Sequence, residues 1–477
     1  MKLLVDNASL NLKGENFEMK KRMYAMGILL VVAALVVSAC SSGSGNGGSE
    51  GGAKKTLKMW TWKVAYGPGF EAAAKLYEEK TGIKVEIETF TPDDTYRQKV
   101  QAAANSKNLP DVIHYWATNG DSLETSLLEL TPSVGDDVLN SYFGPAMDPI
   151  RVTQKQVDNW ATNKDATNVQ KGLKVGEFYG LPLDIGGFFT FYGNKKLIEQ
   201  AGLKAEAPKT FEEFVTMMET VQKETKVPGL VFGAKLPDLW ENWAGSALQI
   251  MLNGPEGYIN LLERKAQMSD PSNIKVSQAL GTIADKGLMM PGILSTDIDG
   301  ADQAFASGKA AFDLGGTFTM STLLAMGMNA DDIVTFSVPP IAGSKLDKWS
   351  TDPFTLTMMS VSKDSKNKDD ALDFIKFITS DPDAAIAFSN GAFTVSALKI
   401  GDRSKDLSPA LKAMQESFAT EPGPYSKVQP YIDNRGNHKE WEEYFQSMQS
   451  VIEKKMTVEQ ATKKFDERMK SLAASGN

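Results

Sequence analysis

Residues 57–116 alternate strand and helix patterns, and this limits the fold more than any other feature of the chain. Leu57-Lys58-Met59-Trp60-Thr61-Trp62 reads as a strand, and Gly67-Pro68-Gly69 breaks it. Phe70, Ala73, Ala74 and Tyr77 then recur at helical spacing until Gly82 stops the helix. Ile83, Val85 and Ile87 alternate with charged residues, as in a half-buried strand. Thr95 to Asn105 reads as helix, and Pro110 to Trp116 as strand. A β-α-β-α-β opening predicts an α/β fold with a doubly wound sheet, because each helix must cover a sheet face.

Further along, Gly180 to Tyr192 is apolar and aromatic and predicts a strand pair crossing between lobes. Thr210-Phe211-Glu212-Glu213 fits a capping box that opens a helix. Residues 240–290 read mostly as helix, and 310–312 as a strand closing on Gly315-Gly316. Ala371, Phe374, Ile375 and Ile378 form one helical face, ended at Ser380-Asp381-Pro382. The last hundred residues or so read as polar helix. Residues 131–175 give no regular pattern, and no internal repeat is present.

The N-terminal region reads as an address. Met19-Lys20-Lys21-Arg22 is a basic head, and Met23 to Val37 carries no charge. Small residues then lead to Cys40, the one cysteine in the chain. These are the parts of an export signal. The apolar stretch is short for the ~30 Å hydrocarbon core, which takes ~20 residues. Val37-Ser38-Ala39-Cys40 resembles the lipobox of bacterial lipoproteins, in which the cysteine becomes the lipidated first residue. Residues 1–18 contain Asp6, Glu15 and Glu18 and are read as upstream of the true start. Residues 19–39 form the signal, and 40–55 the lipidated cysteine with a Gly/Ser linker.

Composition narrows the partners. A formal charge of −9 and a pI near 5.1 argue against nucleic acid, which requires a basic patch. A single cysteine gives no disulfide framework. Two histidines, His114 and His438, without CxxC or HExxH, exclude the common zinc patterns. Asp297-Ile298-Asp299-Gly300 places its glycine wrongly for a calcium loop. No metal and no cofactor are expected.

Several segments, in order, resemble the extracellular solute-binding proteins of ABC importers, in the carbohydrate branch that includes maltose-binding protein. They are FEAAAKLYEEKTGIKVEIE (Phe70 to Glu88), LPDVIHYW (Leu109 to Trp116) and Leu127 to Pro132. LPLDIGGFFTFYGNK (Leu181 to Lys195) follows, with Ala201-Gly202-Leu203 and PKTFEEF (Pro208 to Phe214). FASGKAAFDLGG (Phe305 to Gly316) and ALDFIKFITS (Ala371 to Ser380) complete the set. Gly193 replaces an aromatic common in the family, and Asp352-Pro353-Phe354 stands near its usual Gly-Gly turn. The resemblance implies a two-lobe fold with doubly wound sheets, a hinge and a ligand cleft. Lobe 1 would hold 56–184 and return at 312–352; lobe 2 would hold 185–311 and 353–477 with the C-terminal helices. The ligand would sit at the C-terminal ends of the strands.

Sugars present apolar C–H faces to aromatic rings and hydroxyls to acids and amides. On that chemistry Trp62 and Trp116 are candidate platforms at strand ends, with Asn119 and Asp121 in the following loop. Asp121 also suits a helix N-cap. Asp184 lies in the crossover where the family places contacts. Trp240, Glu241 and Trp243 combine rings and an acid, and a helix would set both indoles on one face. Gly316 and Thr317 would present backbone N–H groups at a helix start. Asp352 completes the set.

The expected function is a lipid-anchored, monomeric, non-enzymatic binding protein. It would capture a small solute, a carbohydrate, and deliver it to ABC permease subunits in the membrane. An exported glycosidase, or a binder of glycerol phosphate or polyamine, is the alternative. The glycosidase needs two carboxylates placed across one bond, and no pair in the sequence identifies itself.

Overall fold

The computed structural model describes residues 55–91, 93–117, 123–164, 166–350, 352, 354–418, 423–435 and 439–474. Residues 1–54, including Cys40, and the loop residues Asn119 and Asp121 lie outside the described residues.

Ten strands form two sheets among the described residues. The first combines β1 (Thr56–Thr61), β2 (Lys84–Thr89), β3 (Val112–Trp116), β4 (Leu181–Gly186), β9 (Phe354–Val361) and β10 (Val395–Ser396) in the order β10-β4-β9-β3-β1-β2. β1 runs parallel to β2 and β3, while β9 is antiparallel to β3 and β4. The second combines β5 (Thr190–Asn194), β6 (Leu230–Val231), β7 (Phe312–Gly315) and β8 (Ile333–Ser337) in the order β6-β7-β5-β8. The expected α/β architecture is observed, and both of its sheets are mixed.

The opening forms as its pattern predicts. Helix Gly67–Thr81 buries Phe70, Ala73, Ala74 and Tyr77, and Gly82 ends it at φ 77°, a conformation that glycine adopts freely. Helix Lys368–Ser380 buries Ala371, Phe374, Ile375 and Ile378 against the first sheet. Thr210 caps helix Phe211–Thr225 by accepting from the Glu213 N–H at 3.1 Å. The Glu213 carboxylate reaches back to Lys209 N rather than to Thr210 N, so the expected box is offset by one residue. A complete capping box forms instead at Thr153 and Gln156, inside the stretch that gave no pattern. The predicted helical region 240–290 is interrupted: helix Ser246–Leu262 kinks at Gly254-Pro255.

The lobe boundaries differ from those implied by the resemblance. Residues 312–352 were expected in lobe 1, yet β7 and β8 belong to the second sheet. There Phe312 packs edge-on against Phe214 and Phe336. β9 was expected in lobe 2, yet it fills the gap between β3 and β4 and buries most of its length in the first sheet. Residues through Phe418 stay with that first core, and helices Pro424–Arg435, Lys439–Ile452 and Val458–Ala474 return to the second. Among the described residues the chain therefore passes from the first core to the second after β4, returns after β8, and is again in the second core from Tyr425.

Candidate functional site

The strand registers place one set of ends together. Trp116 pairs with Thr357, and Gly186 pairs with Phe354, so the C-terminal ends of β3 and β4 meet the start of β9. In the second sheet Thr190 lies opposite Gly315 and Ser337. Gly187, Phe188 and Phe189 join the two edges. Open α/β sheets carry their ligands at such an edge.

Aromatic rings collect at this junction. Phe188 is half-buried and stacks on Trp243, with centroids 5.0 Å apart and planes within 9°. Phe318 approaches both edge-on, at 6.2 and 5.9 Å, and Phe354 lies 5.4 Å from Phe188. Phe188 therefore contacts rings from both lobes. Its neighbour Phe189 adopts φ 72°, an unusual value for a bulky residue. This turn lets Phe189 bury itself against Trp349 and Tyr425 while Phe188 faces the junction.

On the first lobe a layered stack ends at the same edge. Trp62 lies 4.5 Å from His114 and 3.8 Å from Trp116, near-parallel to both. The Arg97 guanidinium stands 3.7 Å from the Trp116 ring centre. Trp62 is only 3% exposed, so it supports Trp116 from beneath and cannot itself serve as a platform. This corrects its expected role: both its faces are already covered. Trp116 is half-buried and carries Arg97 on one face. His114 is fully buried, hydrogen-bonded through Nδ1 to Thr61 Oγ1 at 2.8 Å. Burial, reinforced by the charge of Lys63, holds its pKa well below the ordinary value and keeps it neutral.

Other expected ligand groups are committed elsewhere. The Asp184 carboxylate has no exposure and accepts from Tyr66 Oη at 2.5 Å, Thr357 N at 3.1 Å, Thr394 Oγ1 at 3.1 Å and Thr357 Oγ1. Burial raises its pKa, against the opposing effect of these bonds and of Lys63. Asp352 accepts from Gly423 N, Ser426 N and Ser426 Oγ, capping helix Pro424–Arg435. Thr317 donates its N–H to Gly187 O and accepts from Gly187 N. Gly316 N donates to Thr319 Oγ1. The Thr317 N–H therefore ties the crossover to the second sheet, and the Gly316 N–H closes the turn into helix Thr319–Ala325. A Cβ on Gly186 would come within 2.1 Å of Thr317 Oγ1, so this approach requires glycine.

Trp240 and Trp243 do not share a face. Glu241–Gly245 forms a π-helical turn, wider than an α-turn, which rotates them apart. Trp243 joins the junction. Trp240 packs on Phe232, and with Glu241 it lines a separate cavity of about 20 Å³ inside the second lobe. Glu241 accepts there from Tyr258 Oη at 3.3 Å.

Residues 61–385 match the model of the bacterial extracellular solute-binding protein family, more than half of the chain. The chain belongs to that family. Its members bind solutes and are not enzymes. This solute-binding protein is 24% identical to the multiple sugar-binding protein of Streptococcus mutans over 369 residues, 75% of this chain and 78% of the relative. Its fold matches maltose-bound T. maritima MalE3 at TM-score 0.60 and 16% identity, covering 87% of this chain and 99% of that one. It also matches a chain described for xylan utilisation by Caldanaerobius polysaccharolyticus at TM-score 0.59 and 20% identity, covering 87% and 99%.

Of the expected residues, the structure brings Trp116 and Trp243 to the edges of the solute-binding protein's interlobe junction. Sequence reasoning passed over Phe188, Phe354, Arg97 and Lys63. The doublet Phe188-Phe189 directly after Gly186-Gly187 was a usable signal, since a Gly-Gly crossover brings the next side chains close to both lobes. Among the described residues no cluster of three or more His, Cys, Asp or Glu could hold a metal ion. No described helix is long and apolar enough to cross a membrane.

Proposed function

We propose that this protein captures a carbohydrate between its lobes and delivers it to the permease of an ABC importer. The observation that carries the reading is the ring cluster at the crossover. Phe188, Trp243, Phe318 and Phe354 gather flat apolar surfaces where the two lobes meet, and such surfaces suit the C–H faces of a sugar. Trp116, stacked between Trp62 and Arg97, adds its indole edge, and Arg97 adds a donor, at the edge of the first lobe. The sugar-binding relative, the maltose-bound structure and the xylan-related structure support the same class of solute.

Replacing Phe188 with Leu removes the flat ring and keeps an apolar side chain. Titration calorimetry with malto- and xylo-oligosaccharides should show weakening by about 1–2 kcal/mol, the worth of one aromatic platform. Unchanged affinity would remove Phe188 from the site.

The protein is further proposed to be held at the outer face of the cell membrane. Residues 19–39 act as the signal, Cys40 carries the lipid, and the Gly/Ser linker to residue 55 gives the lobes reach. One acyl chain binds membranes marginally, so stable anchoring requires more than one chain on Cys40. Cys40→Ala should move the protein from the membrane fraction to the soluble one. Recovery in the membrane fraction as before would refute the anchor.

A further inference from the structure

We propose that Lys63 is a latch that holds the two lobes together through the ring of Phe318. Lys63 directly follows Trp62 at the end of the first strand, and the turn Val64–Tyr66 after it packs on helix Thr319–Ala325 of the second lobe. The ammonium stands 4.4 Å from the centre of the Phe318 ring and 5.4 Å from that of Tyr66. Tyr66 belongs to the first core and is fixed through its hydroxyl to buried Asp184. Phe318 packs on the second core and is flanked by Phe188 and Trp243. One cation is thus held between rings that belong to different lobes, and both rings are immobilised by their own neighbours.

The charge also acts on both sides. It lowers the pKa of Asp184 in the first lobe and of Asp302 in the second, working against their burial. Lobe opening would strip the Phe318 contact and return the ammonium to water, while the Tyr66 contact would persist. The attraction therefore favours the closed arrangement alone, and a cation over a ring face is worth most when water is excluded. The inference concerns closure and does not depend on the solute being a sugar.

Hydrogen exchange of the full chain, without added solute, tests it. Lys63→Met keeps the apolar stem and removes the charge. It should accelerate exchange about two- to fivefold in both Val64–Tyr66 and Thr319–Ala325, as expected for a contact of this class. Phe318→Leu should do the same, and Lys63→Arg should retain the wild-type rates, since guanidinium also stacks on rings. Unchanged exchange in Lys63→Met would overturn the latch. So would an arginine variant that behaves like the methionine variant, or acceleration that extends equally into β1 and β5.

Discussion

Replacing Asp184 with Ala lowers the unfolding free energy by about 3–4 kcal/mol, because it strips acceptors from buried donors that have no water to turn to. The carboxylate joins four parts of the chain: the turn containing Tyr66, β4 itself, Thr357 of β9 and Thr394 before β10. The Thr357 N–H is held in the sheet and cannot rotate to another partner. The hydroxyls of Tyr66 and Thr394 can partly satisfy each other, being 3.3 Å apart, which limits the loss. Urea unfolding measures the effect. A ligand-contact role would instead leave stability near wild type and abolish binding, so the two readings of Asp184 separate cleanly.

The second large effect concerns Asp302 and Asp313. Both are buried in the second lobe, and the Asp313 carboxyl sits beside the Leu314 N–H and the Asp302 carboxyl. The facing Asp302 carboxyl can donate to it only when protonated, so the pair holds a proton. Burial pushes the pKa of Asp313 up to about 7, against the opposing effect of the Asp302 carboxyl and the Leu314 N–H. Burial first, and then Asp313, raise that of Asp302 well above the ordinary value, with Asp299 adding and Lys63 opposing. Unfolded aspartates titrate near pH ~4. Folding therefore takes up protons, and this contribution to stability is full below about pH 4 and is lost as pH rises through about 7. Asp313→Asn removes one ionisation and supplies an amide donor to Asp302. The variant should match wild type near pH 4 and exceed it by about 2–4 kcal/mol at pH 8, from the span of the shift at about 1.4 kcal/mol per unit. Denaturant titrations at the two pH values measure the difference. A gap that does not change with pH, or a less stable variant at pH 8, contradicts the shared proton.

Local patterns in the sequence proved legible where the physics is local. β1 to β3 and the helices between them follow from alternation, helical spacing and the Gly82 stop. Helix Lys368–Ser380 follows from its apolar face. Residues 131–175 resisted because their described residues form short 3₁₀ turns and two short helices, Asp136–Leu139 and Gln154–Thr162, which carry no sustained period. Sheet membership is a non-local property. Phe312–Gly315 looks like a strand from its own residues, yet its sheet is decided by Phe214 and Phe336 far away in sequence.

The candidate interlobe junction was only partly legible for the same reason. Trp62 and Trp116 lie at neighbouring strand ends, and the sequence could not say which would cover the other. Asp184 reads as polar chemistry, but four buried donors use it structurally. Trp240 and Trp243 would share a face on an α-helix, and one π-helical turn separates them. Phe188 belongs to an apolar run, and its one local mark is the Gly186-Gly187 pair before it. The crossing between lobes then places it among rings of both.

The central claim is that a carbohydrate binds between the lobes, and a calorimetric titration of the wild-type chain against maltose, malto-oligosaccharides and xylo-oligosaccharides tests it most directly. The account predicts saturable binding of at least one of them near micromolar affinity, about −8 kcal/mol, with every sugar recovered intact. Absence of heat and saturation across these sugars, or hydrolysis of any of them, would contradict it.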